Sequence, residues 1–93
     1  MTVEVRVPSV LRQVTHGEKV VRGAAGTVAE LLEELEGRYP GLRAQLVEQD
    51  GSLRRFVNVY VNEEDIRYTG QLATPLQRGD VVSILPAIAG GQA

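Results

Sequence analysis

Residues 27–37 read TVAELLEELEG, and this stretch decides the fold. Thr27 and Glu30 have the spacing of a capping box, in which a hydroxyl and a carboxylate bind backbone N–H groups that a helix start leaves unpaired. The helix is expected to end at Gly37, and Pro40 cannot continue it. Because one side of this helix is apolar, it must pack against another layer. That apolar stripe comprises Val28, Leu31, Leu32 and Leu35.

Extended segments on both sides of the helix predict a sheet that covers this stripe. Residues 2–7 alternate valines with polar residues, which is typical of a half-buried strand, and residues 19–22 complete a hairpin. Residues 42–47 suggest a further short turn of helix. The later extended segments are a strong strand at 56–61, a short piece at 66–68 after a turn at 62–65, and a last strand at 81–85.

The order of these elements indicates an α+β domain. The first and last strands are expected to lie side by side and parallel, in a mixed sheet with the one main helix packed on one face. This is the β-grasp arrangement of ubiquitin. Residues 1–86 form the predicted ubiquitin-like domain. Residues 87–93, the tail, carry no charge and no structural pattern, and they are expected to be flexible.

The composition narrows the class of protein. The chain has 93 residues and a net charge of −2, which suits one domain with a modest core. No basic block stands out, so a nucleic-acid partner is not expected. The absence of cysteine excludes a thiolate nucleophile and any cysteine metal site. A signal-peptide pattern and a membrane-length apolar run are both missing, so a cytoplasmic protein with no membrane partner is expected.

Three segments carry a resemblance to a known family. They are FVNVYVN at 56–62, RGDVVSILPAIAGG at 78–91 and VRVPSVLR at 5–12. They are spread from residue 5 to residue 91, so the likeness covers nearly the whole chain, and they resemble the ubiquitin-like sulfur carriers of the MoaD/ThiS family. Within that family the likeness is to the CysO type, which serves cysteine biosynthesis.

The resemblance implies a mechanism centred on the last glycines. An E1-like enzyme uses ATP and magnesium to adenylate the carboxylate of a C-terminal glycine, and a sulfur donor then displaces AMP to leave a thiocarboxylate. By position, Gly91 is the reacting residue and Gly90 its neighbour. The carrier is then a protein co-substrate rather than an enzyme, and it binds no cofactor itself. For the CysO type, the implied acceptor of the sulfur is a PLP-dependent cysteine synthase, and a JAMM-type zinc peptidase releases the product.

The chain departs from the simplest members of the family, which end at the second glycine. Here Gln92 and Ala93 follow, so the carboxyl group of Gly91 is held in a peptide bond. Cleavage between Gly91 and Gln92 by a JAMM-type peptidase is therefore expected. Residues 87–91, if extended, span roughly 17 Å and could thread a channel toward a bound nucleotide. Glycine has no Cβ, which allows a close approach there.

Partner proteins are expected to bind an apolar surface near the tail. The candidate residues are Phe56, Tyr60, Leu85, Pro86 and Ile88. For Phe56, Tyr60 and Leu85 a place in the core is equally plausible, because strand alternation does not tell which face of the sheet is covered.

The other candidate residues have simpler interpretations. His16 is the only histidine, and it has no visible partner for a catalytic or metal-binding role, so no metal site is expected. Residues 78–80, RGD, are expected to form a tight turn. The product that receives the sulfur also stays open, since a carrier for another sulfur-containing metabolite or for tRNA fits the same residues. Two other functions stay open at this stage. One is a ubiquitin-like modifier that is joined to lysines through Gly91, and the other is the small subunit of molybdopterin synthase.

Overall fold

The computed structural model describes residues 2–55 and 57–86. The expectations for Phe56 and for the tail, with Ile88, Gly90, Gly91 and Gln92, lie outside the described residues. Within the described ranges the chain forms a mixed sheet and two α-helices, joined by turns and short 3-10 segments. The elements are β1 (Val3–Arg6), β2 (Val20–Gly23), α1 (Val28–Arg38), α2 (Leu42–Leu46), β3 (Val57–Val61), β4 (Glu64–Asp65) and β5 (Val81–Pro86).

The sheet has the strand order β2-β1-β5-β3-β4. The predicted parallel pairing of the first and last strands is confirmed, with Val5 of β1 opposite Val82 of β5. On its other side β5 is antiparallel to β3, with Val57 opposite Pro86. The strand that leads into the tail therefore occupies the centre of the sheet, with a hydrogen-bonded neighbour on each side.

The start of α1 follows the capping prediction with one change of partner. The Glu30 N–H donates to the Thr27 hydroxyl at 3.2 Å. The Glu30 carboxylate accepts from the N–H of Gly26 at 3.0 Å rather than from that of Thr27. The predicted end at Gly37 is wrong, because α1 continues to Arg38. Pro40 sets the end instead, since a residue before proline is pushed out of the helical region.

The core lies between α1 and one face of the sheet. The whole leucine stripe of α1 is buried, as predicted, and so are Leu42 and Leu46 of α2. The sheet contributes the inward residues of its three central strands, which are Val3, Val5, Val57, Val59, Val61, Val82 and Ile84. One face of the sheet is therefore covered by α1, while its opposite face carries the alternate residues.

The segment after β3 differs from the prediction. The turn comprises only Asn62 and Glu63, both at positive φ, as in a two-residue hairpin. Glu64–Asp65 already form β4, and Ile66–Tyr68 form a 3-10 turn rather than an extended piece. The cause is local, because the Asp65 carboxylate accepts from the Arg67 N–H at 2.8 Å and so caps the turn. Burial of Ile66 in the core completes this arrangement.

The two helices are joined by a carboxylate. Glu36 of α1 accepts hydrogen bonds from the N–H groups of Gly41, at 2.9 Å, and Arg43, at 2.8 Å, at the start of α2. The bond from Gly41, followed by that from Arg43, holds the pKa of Glu36 below its usual value.

Among the described residues, no helix is long and apolar enough to cross a membrane.

Two glycines offer a matched test of the packing. A Cβ at Gly23 would lie 2.5 Å from Leu31 Cδ1 and 2.7 Å from Glu34 Oε1, whereas a Cβ at Gly37 meets nothing within 4 Å. We expect G23A to lower the free energy of unfolding by about 1–3 kcal/mol through overpacking. G37A should raise it by about 0.5–1 kcal/mol, because alanine favours the helix. Urea unfolding measures both, and equal effects of the two substitutions would contradict this packing.

Glu36 offers a test by pH. Because its pKa is lowered in the folded state, its contribution to stability is present in full above the unfolded value of 4.5 and is lost as the pH falls through the folded pKa. We expect the wild type to be more stable than E36Q at neutral pH, with a difference that shrinks below pH 4.5. Urea midpoints from neutral to acid pH measure this. E33Q, at an exposed position of the same helix, controls for the loss of one formal charge, and a pH-independent difference for E36Q would contradict the role of its carboxylate.

Candidate functional site

The site is built around the end of β5, where the chain continues into the tail. Pro86, the last described residue, lies opposite Val57 of β3. On the other side, Ser83 is paired with Arg6 of β1. The tail therefore begins at the middle of one end of the sheet, between β1 and β3. We call this place the exit.

Residues of β5 alternate between the two faces of the sheet. Val82 and Ile84 are buried under α1, whereas Leu85 is 49% exposed. Tyr60 of β3, half-buried, lies opposite Ser83 on the face away from α1. Of the predicted partner-binding residues, Tyr60 and Leu85 therefore lie together on the open face and outside the core. Their role in binding stays a prediction, as does that of Pro86.

A shallow depression marks this part of the open face. It has a volume of about 230 Å³, and it is lined by Tyr60, Glu63, Ser83 and Leu85. The ring of Tyr60 and the side chain of Leu85 supply its apolar part, while Glu63 comes from the β3–β4 turn. An apolar side chain of a partner could enter here within a few residues of the exit.

Arg67 holds the beginning of β3 beside the exit. Its Nη1 donates to Asn58 Oδ1 at 2.7 Å, and its Nη2 donates to the carbonyl oxygens of Val57 at 2.8 Å and Arg54 at 3.1 Å. Sequence reasoning missed this residue. Two of its three acceptors are backbone carbonyls ten or more residues away, and no pattern in the sequence signals such a contact.

Arg12 has the corresponding place beside β1. Its Nε donates to the carbonyl oxygen of Val7 at 3.2 Å, directly after the end of that strand. The loop that carries Arg12 is held by the buried Thr15, whose hydroxyl donates to the carbonyl oxygen of Glu18 at 2.9 Å. Sequence reasoning also missed Arg12, because the loop has no periodicity.

The opposite end of β5 is fixed by side chains of two turns. Asn62 Nδ2 donates to Asp80 Oδ1 at 2.8 Å, and Asn62 Oδ1 accepts from the Val81 N–H at 2.9 Å. Asp80 Oδ2 accepts from the Gln77 N–H at 2.8 Å, which closes the tight turn predicted at 78–80. These polar groups set the position of β5, and the RGD segment is explained by its turn.

His16 has a packing role in this structure. Its ring meets that of Tyr39 edge-on, with centroids 5.5 Å apart, and the guanidinium of Arg38 lies 5.6 Å from the centroid of the same tyrosine ring. The contact joins the β1–β2 loop to the end of α1. Within residues 2–55 and 57–86, no group of three or more histidine, aspartate or glutamate residues could hold a metal ion.

The chain matches the model of one protein family over residues 5–91, which include the second half of β1, all of β2 to β5 and both glycines of the tail. That model is described as the ThiS family. The chain belongs to the ThiS family. The resemblance inferred from the three sequence segments is thereby confirmed, and Gln92 follows directly after the matched range.

Relatives of this ThiS-family chain match it along its length. Sulfur carrier protein CysO of Mycobacterium tuberculosis is 45% identical over 93 residues, which cover 98% of this chain and 100% of the relative. Small archaeal modifier protein 3 of Haloferax volcanii is 36% identical over 94 residues, again 98% of this chain and 100% of the relative.

Solved structures agree with this assignment. A chain in the crystal structure of the Amycolatopsis orientalis BexX/CysO complex has a TM-score of 0.90 and 46% identity, and the match covers 96% of this chain and 99% of that one. The fold of this ThiS-family chain is accordingly the ubiquitin-like β-grasp predicted from its sequence, with one main helix on a mixed sheet.

Neighbouring residues of β5 test the assignment of its two faces. Because Leu85 is half exposed, we expect L85A to change the free energy of unfolding by less than about 1 kcal/mol. I84A removes a side chain that is 2% exposed and should cost about 2–5 kcal/mol. Urea unfolding of both variants measures the difference. Equal losses would contradict an open face at Leu85.

Proposed function

We propose that this chain is a sulfur carrier, a protein co-substrate whose reactive group is the carboxyl carbon of Gly91. The observation that carries the proposal is the match to the ThiS family over residues 5–91, which stops at the second glycine of the tail. The 45% identity to a sulfur carrier over nearly the whole chain supports it further. The strand that precedes the tail, β5, is held at the centre of the sheet by pairing with β1 and β3.

The chemistry takes place at the carboxylate of Gly91 once that group is free. One carboxylate oxygen attacks the α-phosphorus of ATP, and pyrophosphate leaves with its electron pair. A sulfide-level donor then attacks the acyl carbon, the bond to AMP breaks, and a thiocarboxylate remains. ATP and magnesium belong to an E1-like adenylating enzyme, and the carrier itself binds no cofactor. Gly90 and Gly91 contribute their small size, which allows the backbone to approach the nucleotide closely.

A peptidase is required before this step. Gln92 follows Gly91, so the carboxyl group is held in an amide until that bond is hydrolysed. We assign the cleavage between Gly91 and Gln92 to a JAMM-type zinc peptidase. Water is added across the amide, which gives the Gly91 carboxylate and the amino group of Gln92.

Partner enzymes are proposed to bind the open face next to the exit. Leu85, with 49% of its surface exposed, and Tyr60 form the apolar part of the depression there. From their place in the sequence, Phe56, Pro86 and Ile88 are proposed as further contact residues. The complex of the A. orientalis CysO with BexX supports protein partners for a carrier of this type. Such a docking surface is needed because ordering a tail on binding costs conformational entropy.

The sulfur is proposed to go to cysteine biosynthesis, with a PLP-dependent cysteine synthase as the acceptor enzyme and the cytoplasm as the compartment. The identity to sulfur carrier protein CysO of M. tuberculosis supports this destination. Two other functions are weaker. The likeness to an archaeal modifier protein is lower, at 36% identity. The likeness to a putative molybdopterin converting factor subunit, at 23% identity, bears on the fold alone.

Mass spectrometry tests the proposal directly. The full chain is incubated first with the peptidase and then with the adenylating enzyme, ATP and a sulfur source. We expect loss of Gln92-Ala93, followed by the replacement of one oxygen by sulfur at Gly91. Replacement of Gly91 by leucine should block the second step without changing the urea midpoint, because a bulky side chain obstructs the approach to the nucleotide.

Two outcomes would contradict the proposal. One is a trimmed carrier that is adenylated but never gains sulfur. The other is the accumulation of Gly91 in isopeptide bonds to lysines of other proteins, which would favour the modifier function. A normal yield of thiocarboxylate from the leucine variant would remove the steric argument for glycine.

A further inference from the structure

Two arginines near the exit keep their positive charge uncompensated. Arg12 and Arg67 are half-buried, and their hydrogen bonds go to neutral oxygens, which are carbonyls and the amide of Asn58. Among the described residues neither has a carboxylate oxygen within 4.0 Å. The ion pairs there belong to other arginines, such as Arg54, which lies 3.3 Å from Glu48. Neither guanidinium is therefore held in an ion pair with another described residue.

These two guanidiniums lie on opposite sides of the exit. Arg67 is bonded to the carbonyl of Val57, the residue opposite Pro86. Arg12 is bonded to the carbonyl of Val7, which directly follows the β1 residue paired with Ser83. Because β1 and β3 are separated by β5, the strands that carry the two anchoring carbonyls are two spacings apart, about 10 Å.

Both side chains also keep donors for a partner. A guanidinium has five N–H donors in a fixed planar arrangement that suits a carboxylate. Arg12 uses its Nε–H, so both terminal nitrogens remain for binding. Arg67 makes three bonds through its two terminal nitrogens, which leaves its Nε–H and one further N–H. Since these bonds already hold the side chains in place, less side-chain entropy is lost on binding.

At the far end of the same strand, three carboxylates outnumber the exposed guanidinium of Arg78. The β3–β4 turn carries the exposed Glu63, β4 begins with the exposed Glu64, and the carboxylate of Asp80 is bonded to Asn62 and Gln77. A chain with a net charge of −2 thus has fixed positive charges beside the exit and carboxylates at the other end of β5. An acidic partner surface would attract the exit and repel the far end, which orients the encounter.

We propose that Arg12 and Arg67 dock the carrier onto acidic residues on both sides of the tail-binding channel of its adenylating enzyme. The partner chemistry is a pair of carboxylate clusters separated by more than the width of the tail. This inference rests on the proposed function, since it assumes an enzyme that takes up the tail. The two arginines add charged contacts to the apolar contact through Leu85 and Tyr60. They set the rate and the orientation of association.

The experiment measures association rates of the full 93-residue chain with the adenylating enzyme by stopped-flow fluorescence. R12Q and R67Q each remove one charge beside the exit, and R78Q removes one from the exposed turn at the far end of β5. At low salt we expect the R12Q/R67Q double variant to associate about tenfold more slowly, with R78Q within about twofold of the wild type. Raising NaCl from about 0.05 M to about 0.3 M should slow the wild type and affect the double variant much less.

Controls separate docking from folding and from chemistry. Urea midpoints identify any variant whose fold has changed, and R12K and R67K keep the charge, so their association rates should stay near that of the wild type at low salt. Equal slowing by R78Q and by the exit variants would overturn the proposal, as would a salt-independent rate for the wild type or failure of the wild type to bind. If the wild type binds with the expected salt dependence but the trimmed chain gains no sulfur, the docking surface stands and the proposed function fails.

Discussion

Parallel pairing between β1 and β5, with Val5 opposite Val82, constrains everything that lies between them. Two parallel strands cannot be joined by a tight turn, so the intervening chain has to return across the sheet. Here that return includes α1, whose leucine stripe covers one face, and β3, which pairs with the free side of β5. The strand that continues into the tail is thereby placed at the centre of the sheet.

The two faces of the sheet have different roles, one in stability and the other in recognition. Burial of the inward valines and of Ile84 under α1 stabilises the domain, while the outward residues of β3 and β5 contribute little to the core. Tyr60 and Leu85 can therefore serve recognition without a large cost in stability. The exit lies at one end of this open face, between the two strands whose neighbouring carbonyls Arg12 and Arg67 contact.

Local patterns made much of this fold predictable. Thr27, Glu30 and the leucine stripe act within a few residues of one another, and the strand segments alternate clearly, so the helix, the sheet and the β-grasp class could be inferred. The end of α1 was misjudged, because Gly37 is tolerated in a helix and the steric effect of Pro40 decides. The predicted turn at 62–65 is too long, because the two-residue turn requires a positive φ at Glu63 and glutamate gives no sign of that conformation in the sequence.

Less of the candidate site could be predicted from the sequence. The family resemblance suggested Tyr60 and Leu85, but strand alternation could not tell whether their face of the sheet was covered, a question that only the position of α1 answers. Arg12 and Arg67 find their acceptors through tertiary contacts with backbone carbonyls, which any residue could supply. The reactive glycines, in contrast, were identified by a motif at the end of the chain, and they needed no knowledge of the packing.

The central position of β5 also has a mechanical consequence. A force applied to the tail along the axis of β5 would act directly on this strand. Because β5 is bonded to β1 on one side and to β3 on the other, such a load acts on both ladders in shear, and many hydrogen bonds resist it together. A tail attached to an edge strand could be peeled away one bond at a time. The carrier can therefore be pulled by its tail without unravelling from its end.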